Sequence, residues 1–476
     1  MTIVAIDQGT TSTRALYLAG DGTLAQAHSV AHKQFYPAAG HVEHDAEELL
    51  RNVEACLAVV EGVTSVGIAN QGESCLAWDA QDRVPLGPVI VWQDDRTSDV
   101  TAAMQAQGCG PEVMQRAGLP LDAYFSASKL GWIVRNVPRA RELAAQGRLR
   151  LGTTDAFFRD RLTGRFETDV ATASRTSLMN IQAGEWDAEL CRMFGVPLDA
   201  LPAIGPTSGD LGTLPGGARL AASIVDQQAA LYGHGCRRPG DAKITFGTGA
   251  FAQCVTNGLA RPQQPGPLPT VAWQAQGAPV SYALDGGVYA AAAAVNWARD
   301  LGLFSGYEGI GAFDAAPAID RGIAFVPALA GLGCPHWNRK ARGSWLGLEL
   351  STGRSDLMQA LLEGVAMRTR EVVSAMEAVQ PFRGSISIDG GMSANRYFTS
   401  FLAAACGRDI RISAEPELTA AGLVQMAAEA IGAGGVRAAR GEDVKAPDGQ
   451  PGDTRARIFA AARRAVEAYA EAARAE

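Results

Sequence analysis

The residues of this chain that could do chemistry gather in a few short turns, the first of them DQGTTSTR (7–14). An acid, a glycine, four consecutive hydroxyl residues and an arginine stand there between two apolar runs. A tight hairpin at this point aims backbone N–H groups and hydroxyls outward together, which makes an anion cradle. Asp7 can hold a Mg²⁺ ion directly or through water, since a hard cation prefers oxygen. Thr10, Thr11 and Ser12 can donate to terminal phosphates, and Arg14 can neutralise charge there. The bland alternative is a polar hairpin turn. Two further turns are weaker alone: GTGAF (247–251) and IDGGMSAN (388–395), the latter with a Gly pair that permits close backbone approach. Asn395 opens a helix able to face an adenine or ribose. One nucleotide held between two lobes would use all three turns, and closure would exclude water from a transferring phosphoryl group.

Carboxylates near strand ends form a second set. Asp226, in SIVDQQAALYG (223–233), ends an apolar strand just before a helix and is either a helix N-cap or a general base. Glu73, in ANQGES (69–74), is either an ordinary exposed carboxylate or a ligand-binding one. Tyr124, in LDAYFSASKLGWI (121–133), precedes a helix where most aromatics simply pack. His28/His32 and His41/His44 have spacings that could ligate zinc on a helix, but the first pair reads as strand and Pro37 and Gly40 break the second. The chain contains no GxSxG, HExxH or GxxxxGK[ST] pattern, so hydrolase, zincin and P-loop chemistry lack support.

Alternating strand-like and helix-like segments must position these residues, which predicts an α/β protein. IVAID (3–7), TRALYL (13–18) and TLAQAHSVA (23–31) read as strands, and 45–62 as an amphipathic helix opened by Asp45 with Glu48 three residues on. SVGIANQG (65–72) and VIVWQ (89–93) are short apolar strands ending in polar residues. KITFGTGAFAQCVT (243–256) echoes the strand–turn–strand plan of the N-terminus, which suggests two related lobes. The expected boundary separates 1–235 from 236–476. Segment 432–452 reads as a linker and 453–475 as a terminal helix rich in Ala, Arg and Glu.

Composition narrows the classes. The 476 residues are 47% apolar and 19% charged, enough for two or three domains with cores of their own. A net charge of −8 argues against nucleic acid or an anionic membrane as partner. No apolar run approaches the roughly 20 residues of a membrane span, and the N-terminus enters a strand without a basic leader. A soluble cytoplasmic protein is expected. The eight cysteines form no CxxC pair and read as free thiols of a reducing compartment.

Taken in order, AIDQGTTSTRA (5–15), HVEHD (41–45), VWQDDRT (91–97), DQQAALYG (226–233), FGTGAF (246–251), FVPALAGLGCPHW (325–337) and DGGMSAN (389–395) resemble the FGGY family of carbohydrate kinases. YFSASKLGW (124–132) and GSWLGLELSTGRSDLMQALLEG (343–364) resemble its two signature stretches. The resemblance spans nearly the whole chain and is strongest to the members that phosphorylate glycerol. It implies a two-lobed actin-like ATPase fold, each lobe ribonuclease-H-like, with the active site in the interdomain cleft. It further implies ATP and Mg²⁺ as cofactors, a small polyol or sugar as partner, and a homodimer or homotetramer.

Residue by residue, the resemblance puts Thr10, Thr11, Ser12 and Arg14 at the nucleotide phosphates. Thr248, Ala292, Asn296, Gly391 and Asn395 fall where the family contacts the phosphates and adenosine. Glu73, Tyr124, Asp226 and Gln227 fall where the acceptor hydroxyls are held, and Trp92 and Phe251 where its carbon skeleton is walled. Asp226 is then the base for a primary hydroxyl attacking the γ-phosphorus, glycerol being the leading acceptor. There are departures. Asn70-Gln71-Gly72-Glu73-Ser74 stands where glycerol-phosphorylating members read NQRET, Val225 replaces a glycine, Ala292 a glycine and Asn296 a glutamine. Gly72 is expected to leave space where the arginine would sit, which makes a four- or five-carbon polyol or ketose the runner-up acceptor. A non-catalytic nucleotide-binding sensor on the same fold would have lost the acceptor carboxylates, and here they are present.

Overall fold

In the computed structural model, residues 2–19, 22–433, 441–447 and 452–473 are described. The chain forms two compact α/β units. The first comprises Met1–Gly235, Thr270–Tyr282 and Glu417–Ala438, and the second comprises Cys236–Pro269, Ala283–Pro416 and Ala439–Glu476. Two later segments thus return to the first unit after the chain has left it.

The first unit is built on a five-stranded sheet in the order Arg219–Val225, Val63–Asn70, Thr2–Gln8, Ser12–Leu18, Leu24–Ala31. The first three are mutually parallel, and the last two run antiparallel as a meander. Alternation along Thr2–Gln8 explains its central place. Ile3 and Ala5 join one core, with Ala222, Ile224 and Leu423, while Val4 and Ile6 join another, with Leu49, Val53 and Phe157. A strand buried on both faces must carry apolar residues at successive positions, as this one does. Helix Ala46–Ala58 covers one face; Asp45 caps it, accepting from the amides of Glu47 and Glu48, and it stops short of the predicted residue 62.

Helix Leu418–Ala430 packs on the opposite face, where a Cβ at Gly422 would sit 1.9 Å from Ala229 O. Only glycine permits that approach. It seats helix Asp226–Gly233 with its backbone directly on the Leu418–Ala430 helix.

The second unit repeats the plan. Strands Ala242–Phe246 and Ala250–Thr256 form an antiparallel hairpin, and Ile386–Asp389 runs parallel beside the first of them. This is the echo the sequence suggested. Helix Arg354–Glu377 supplies much of that unit's core through Leu361, Val365 and Val372. The predicted linker is corrected in part. Glu442–Val444 pairs antiparallel with Ile410–Ile412 as an edge strand, Val444 opposite Ile410, while 434–440 and 448–451 lie outside the described residues. The terminal helix spans Gly452–Ala472 and buries Phe459 and Val466. Among the described residues no helix is long and apolar enough to cross a membrane. All eight cysteines are free.

Candidate active site

Three parallel strands of the first unit end side by side, Val225 opposite Asn70 and Asn70 opposite Gln8. The chain beyond each end carries one part of the predicted site: Asp226 and Gln227, then Gln71 to Ser74, then Gly9 to Ser12. Neighbouring strands lie about 4.8 Å apart, so the pairing alone gathers residues far apart in sequence. Polar turns at the C-terminal edge of a parallel sheet are where α/β proteins place ligands.

Glu73 is 4% exposed and has φ +61°, in the left-handed region. A non-glycine residue there costs about 1–2 kcal/mol, which surrounding structure must enforce. Two contacts do so. The Ser126 hydroxyl donates to Glu73 O at 2.9 Å, and Arg175 Nε donates to Glu73 Oε1 at 2.7 Å. Arg175 lies 5.4 Å from the centroid of Phe125, and its side chain is 8% exposed. The ordinary exposed carboxylate is therefore excluded for Glu73.

Asp226 opens helix Asp226–Gly233, but the N-cap position belongs to Val225. The capping alternative therefore does not apply. Asp226 Oδ1 accepts from the amide of Gln227 at 2.7 Å, in the first turn, where the helix dipole favours a carboxylate.

Trp92 and Tyr124 meet edge to face with centroids 5.6 Å apart. Trp92 donates from its amide to Ser74 Oγ at 3.1 Å and from Nε1 to Thr10 Oγ1 at 3.1 Å. Lys129 binds the carbonyls of Tyr124 at 2.8 Å and Val91 at 3.4 Å. Burial pushes its ammonium pKa down, against the opposing charges of neighbours that include Glu73, Asp94 and Asp122.

The phosphate turn is a hairpin in which Gly9 N donates to Ser12 O at 3.0 Å. Thr11 is exposed, and Thr10 and Ser12 are half-buried. Asp7 and Arg14 are register partners; Arg14 Nη2 lies 2.6 Å from Asp7 Oδ2, and Arg14 Nη1 2.8 Å from Glu417 Oε1. Behind the turn, His32 Nε2 lies 2.9 Å from the carbonyl of Thr10, and its ring meets that of His44 edge to face at 4.8 Å. His44 Nδ1 lies 3.2 Å from Gln71 Nε2. Burial, then the neighbouring His32, pushes the His44 pKa down to about 4. Both rings are buried.

The remaining predicted residues belong to the second unit. Turn 247–249 receives the start of helix Ala292–Asp300, with the amides of Ala291 and Ala293 donating to Thr248 O at 2.9 and 3.1 Å. The amide of Ala292 donates to Gly247 O at 3.1 Å. Thr248, Asn296 and Gly391 are exposed, while Phe251 is half-buried on the Ala250–Thr256 strand. The short helix Tyr307–Ile310 links two of the set. Tyr307 OH donates to Asn296 Oδ1 at 2.7 Å, and Asn395 Nδ2 donates to Ile310 O at 2.8 Å. Asn395 also caps helix Arg396–Cys406.

One expectation is overturned. A Cβ on Gly72 would lie 2.6 Å from Val225 Cγ2, so the room beside Gly72 is already filled by valine. The two departures from the family pattern are one packing event, and the motive for a longer acceptor goes with the missing space. Sequence reasoning also passed over Arg175, Lys129 and Glu417. Arg175 and Lys129 each sit among small or hydroxyl residues, in TASRTS (172–177) and SASKLG (126–131), a signal that marks a buried cation with polar partners.

Two α/β units with matching hairpins form the two-domain carbohydrate kinase fold of the actin-like ATPase type. Residues 2–225 match the N-terminal domain and residues 242–431 the C-terminal domain of the FGGY family of carbohydrate kinases, and the chain belongs to that family. A glycerol kinase of Symbiobacterium thermophilum is 39% identical over 486 residues, covering 98% of this chain and 97% of its own. One from Citrifermentans bemidjiense is 40% identical, covering 91% and 90%. The crystal structure of Plasmodium falciparum glycerol kinase with ADP superposes with a TM-score of 0.89 at 26% identity, covering 98% of both chains. The chain is an ATP-dependent phosphotransferase.

Proposed function

We propose that the chain phosphorylates glycerol on a primary hydroxyl, with Mg-ATP as donor and glycerol 3-phosphate and ADP as products. The observation that supports this reading is the parallel pairing that ends the Val63–Asn70 and Arg219–Val225 strands together, one leading to Glu73, which Arg175 holds, and the other to Asp226. Glu73 accepts from acceptor hydroxyls that do not react, with Tyr124 and Gln227 completing the grip and Trp92 walling the carbons. Asp226 takes the proton of the reacting hydroxyl as its oxygen attacks the γ-phosphorus in line. Thr10, Thr11 and Ser12 donate to the phosphates, and Arg14 adds charge beside Asp7. The second unit carries Thr248, Ala292, Asn296, Gly391 and Asn395 as its nucleotide set, and the aromatic Phe251.

Asp7 suits Mg²⁺, which keeps several waters and binds one or two carboxylates together with substrate phosphates. That carboxylate is paired with Arg14, which Glu417 shares, so Asp7 offers a single anchor rather than a cage. When bound, the ion offsets the phosphate charge that develops in the reaction.

The test is ADP release from Mg-ATP across glycerol, erythritol, C5 and C6 polyols and ketopentoses. Glycerol should dominate the profile. Dominance of a longer acceptor would remove glycerol from the assignment, and release with none of them would remove these acceptors and the roles given to Glu73 and Asp226.

A further inference from the structure

The Val63–Asn70 and Arg219–Val225 strands end together, and each leads into a carboxylate: Glu73 after one, Asp226 after the other. One residue before Glu73 is Gly72, and one residue before Asp226 is Val225. These two preceding residues touch. The valine Cγ2 occupies the place any side chain on residue 72 would start from, 2.6 Å from an ideal Cβ. Both residues are buried, Val225 at 3% exposure.

The contact has little give. Valine is branched at Cβ and confined in χ1, so its methyl cannot swing aside freely. Interiors are close-packed, and an added methyl is accommodated by moving backbone rather than by filling slack. The backbone on one side is about to turn into the left-handed conformation at Glu73, where Ser126 and Arg175 hold it. The backbone on the other side is about to enter the Asp226 helix, seated against Leu418–Ala430 through Gly422. Both loops are thus anchored on their outer sides, with the Gly72–Val225 contact between them.

We propose that Gly72 and Val225 act together as a spacer that determines acceptor length. One carboxylate grips a non-reacting hydroxyl and the other deprotonates the reacting one, so their separation selects the hydroxyl spacing that bridges them. This rests on the acceptor reading of Glu73 and Asp226 given above. Thickening the contact favours a longer chain of carbons, and restoring its thickness from the opposite side restores the original preference.

The experiment compares wild type, Gly72→Ala, Val225→Ala and the double variant Gly72→Ala/Val225→Ala. For each, kcat and KM for glycerol and for erythritol, and KM for ATP, are read from ADP release. Gly72→Ala should lower kcat/KM for glycerol at least tenfold, mostly through KM. It should shift the erythritol-to-glycerol ratio at least fivefold toward erythritol, with KM for ATP unchanged. The double variant should recover most of both. Val225→Ile thickens the contact from the other side and should move the ratio in the same direction, which keeps the test open if Gly72→Ala is insoluble. A merely structural contact would lower the melting temperature and the active fraction while leaving the ratio fixed, and that result overturns the spacer. A double variant no better than Gly72→Ala overturns it as well. Wild-type enzyme inactive on every polyol would instead overturn the acceptor reading, and the spacer with it.

Discussion

The indole Nε1 of Trp92 donates to Thr10 Oγ1 at 3.1 Å, joining an aromatic wall to the phosphate turn. The same tryptophan's amide is bound to Ser74, one residue past Glu73. Behind them, His32 touches the Thr10 carbonyl, and His44 touches both His32 and Gln71. Ser74 Oγ closes the circuit by donating to Gln71 Oε1 at 3.2 Å. The turn after the first strand and the loop after Val63–Asn70 are therefore held to one another at two levels.

Trp92→Phe keeps an aromatic ring but removes the donor together with the pyrrole half of the indole. A single hydrogen bond contributes about 0.5–1.5 kcal/mol, so kcat/KM should fall roughly two- to tenfold. Because the bond spans wall and turn, the fall should appear for ATP and for the acceptor alike. Steady-state kinetics with each substrate varied checks this; a loss confined to the acceptor would show that the bond does not steady the phosphate turn.

Asp226→Asn removes the base and keeps the shape. General-base contributions are typically about 10²–10⁴-fold, and kcat should drop by that order while nucleotide affinity stays near wild type. Equilibrium binding of ADP beside single-turnover transfer separates the two. Residual turnover within tenfold of wild type would take Asp226 out of the base role.

Arg175→Met leaves Glu73 as a buried carboxylate without its closest cation. Breaking a buried pair in this way costs about 3–5 kcal/mol, and the 5% and 8% side-chain exposures leave little water to compensate. Urea unfolding should show a loss of that order. The double variant Glu73→Gln/Arg175→Met should recover a large part of the stability without recovering activity. A double variant as unstable as Arg175→Met would mean that the cation is needed by some other group.

His44 gives a pH dependence of definite sign. Its folded pKa is about 4, below the ordinary 6.5, because burial and the adjacent His32 oppose the charged ring. Above pH 6.5 the ring is neutral in both states and contributes nothing. As pH falls from 6.5 to 4 the unfolded chain takes up a proton that the folded chain refuses, so stability is lost across that window, by up to about 3 kcal/mol. Unfolding midpoints at pH 7 and pH 4.5 should differ by less in His44→Gln than in wild type. Equal differences in the two proteins would assign the acid loss to other groups.

Much of this arrangement was legible in the order of residues. Local rules are enough for the hairpin at DQGTTSTR, the helix capped by Asp45, the strand ending in Asp226 and the echo at 243–256, because propensity, capping and turn chemistry act over a few residues. The acceptor set Glu73, Tyr124, Asp226 and Gln227 came from the resemblance, because residue type alone left a bland alternative open at Glu73, Tyr124 and Asp226. What the sequence could not determine is which strand lies beside which. Parallel pairing of Val63–Asn70 with Arg219–Val225 joins segments some 150 residues apart, and only that pairing reveals Gly72 and Val225 as one contact rather than two unrelated departures. The same holds for Arg175 reaching Glu73 and for Glu417 returning to Arg14. Side-chain type is written in the chain, but the packing partner of a side chain is set by long-range register, and that register exists only once the sheet has formed.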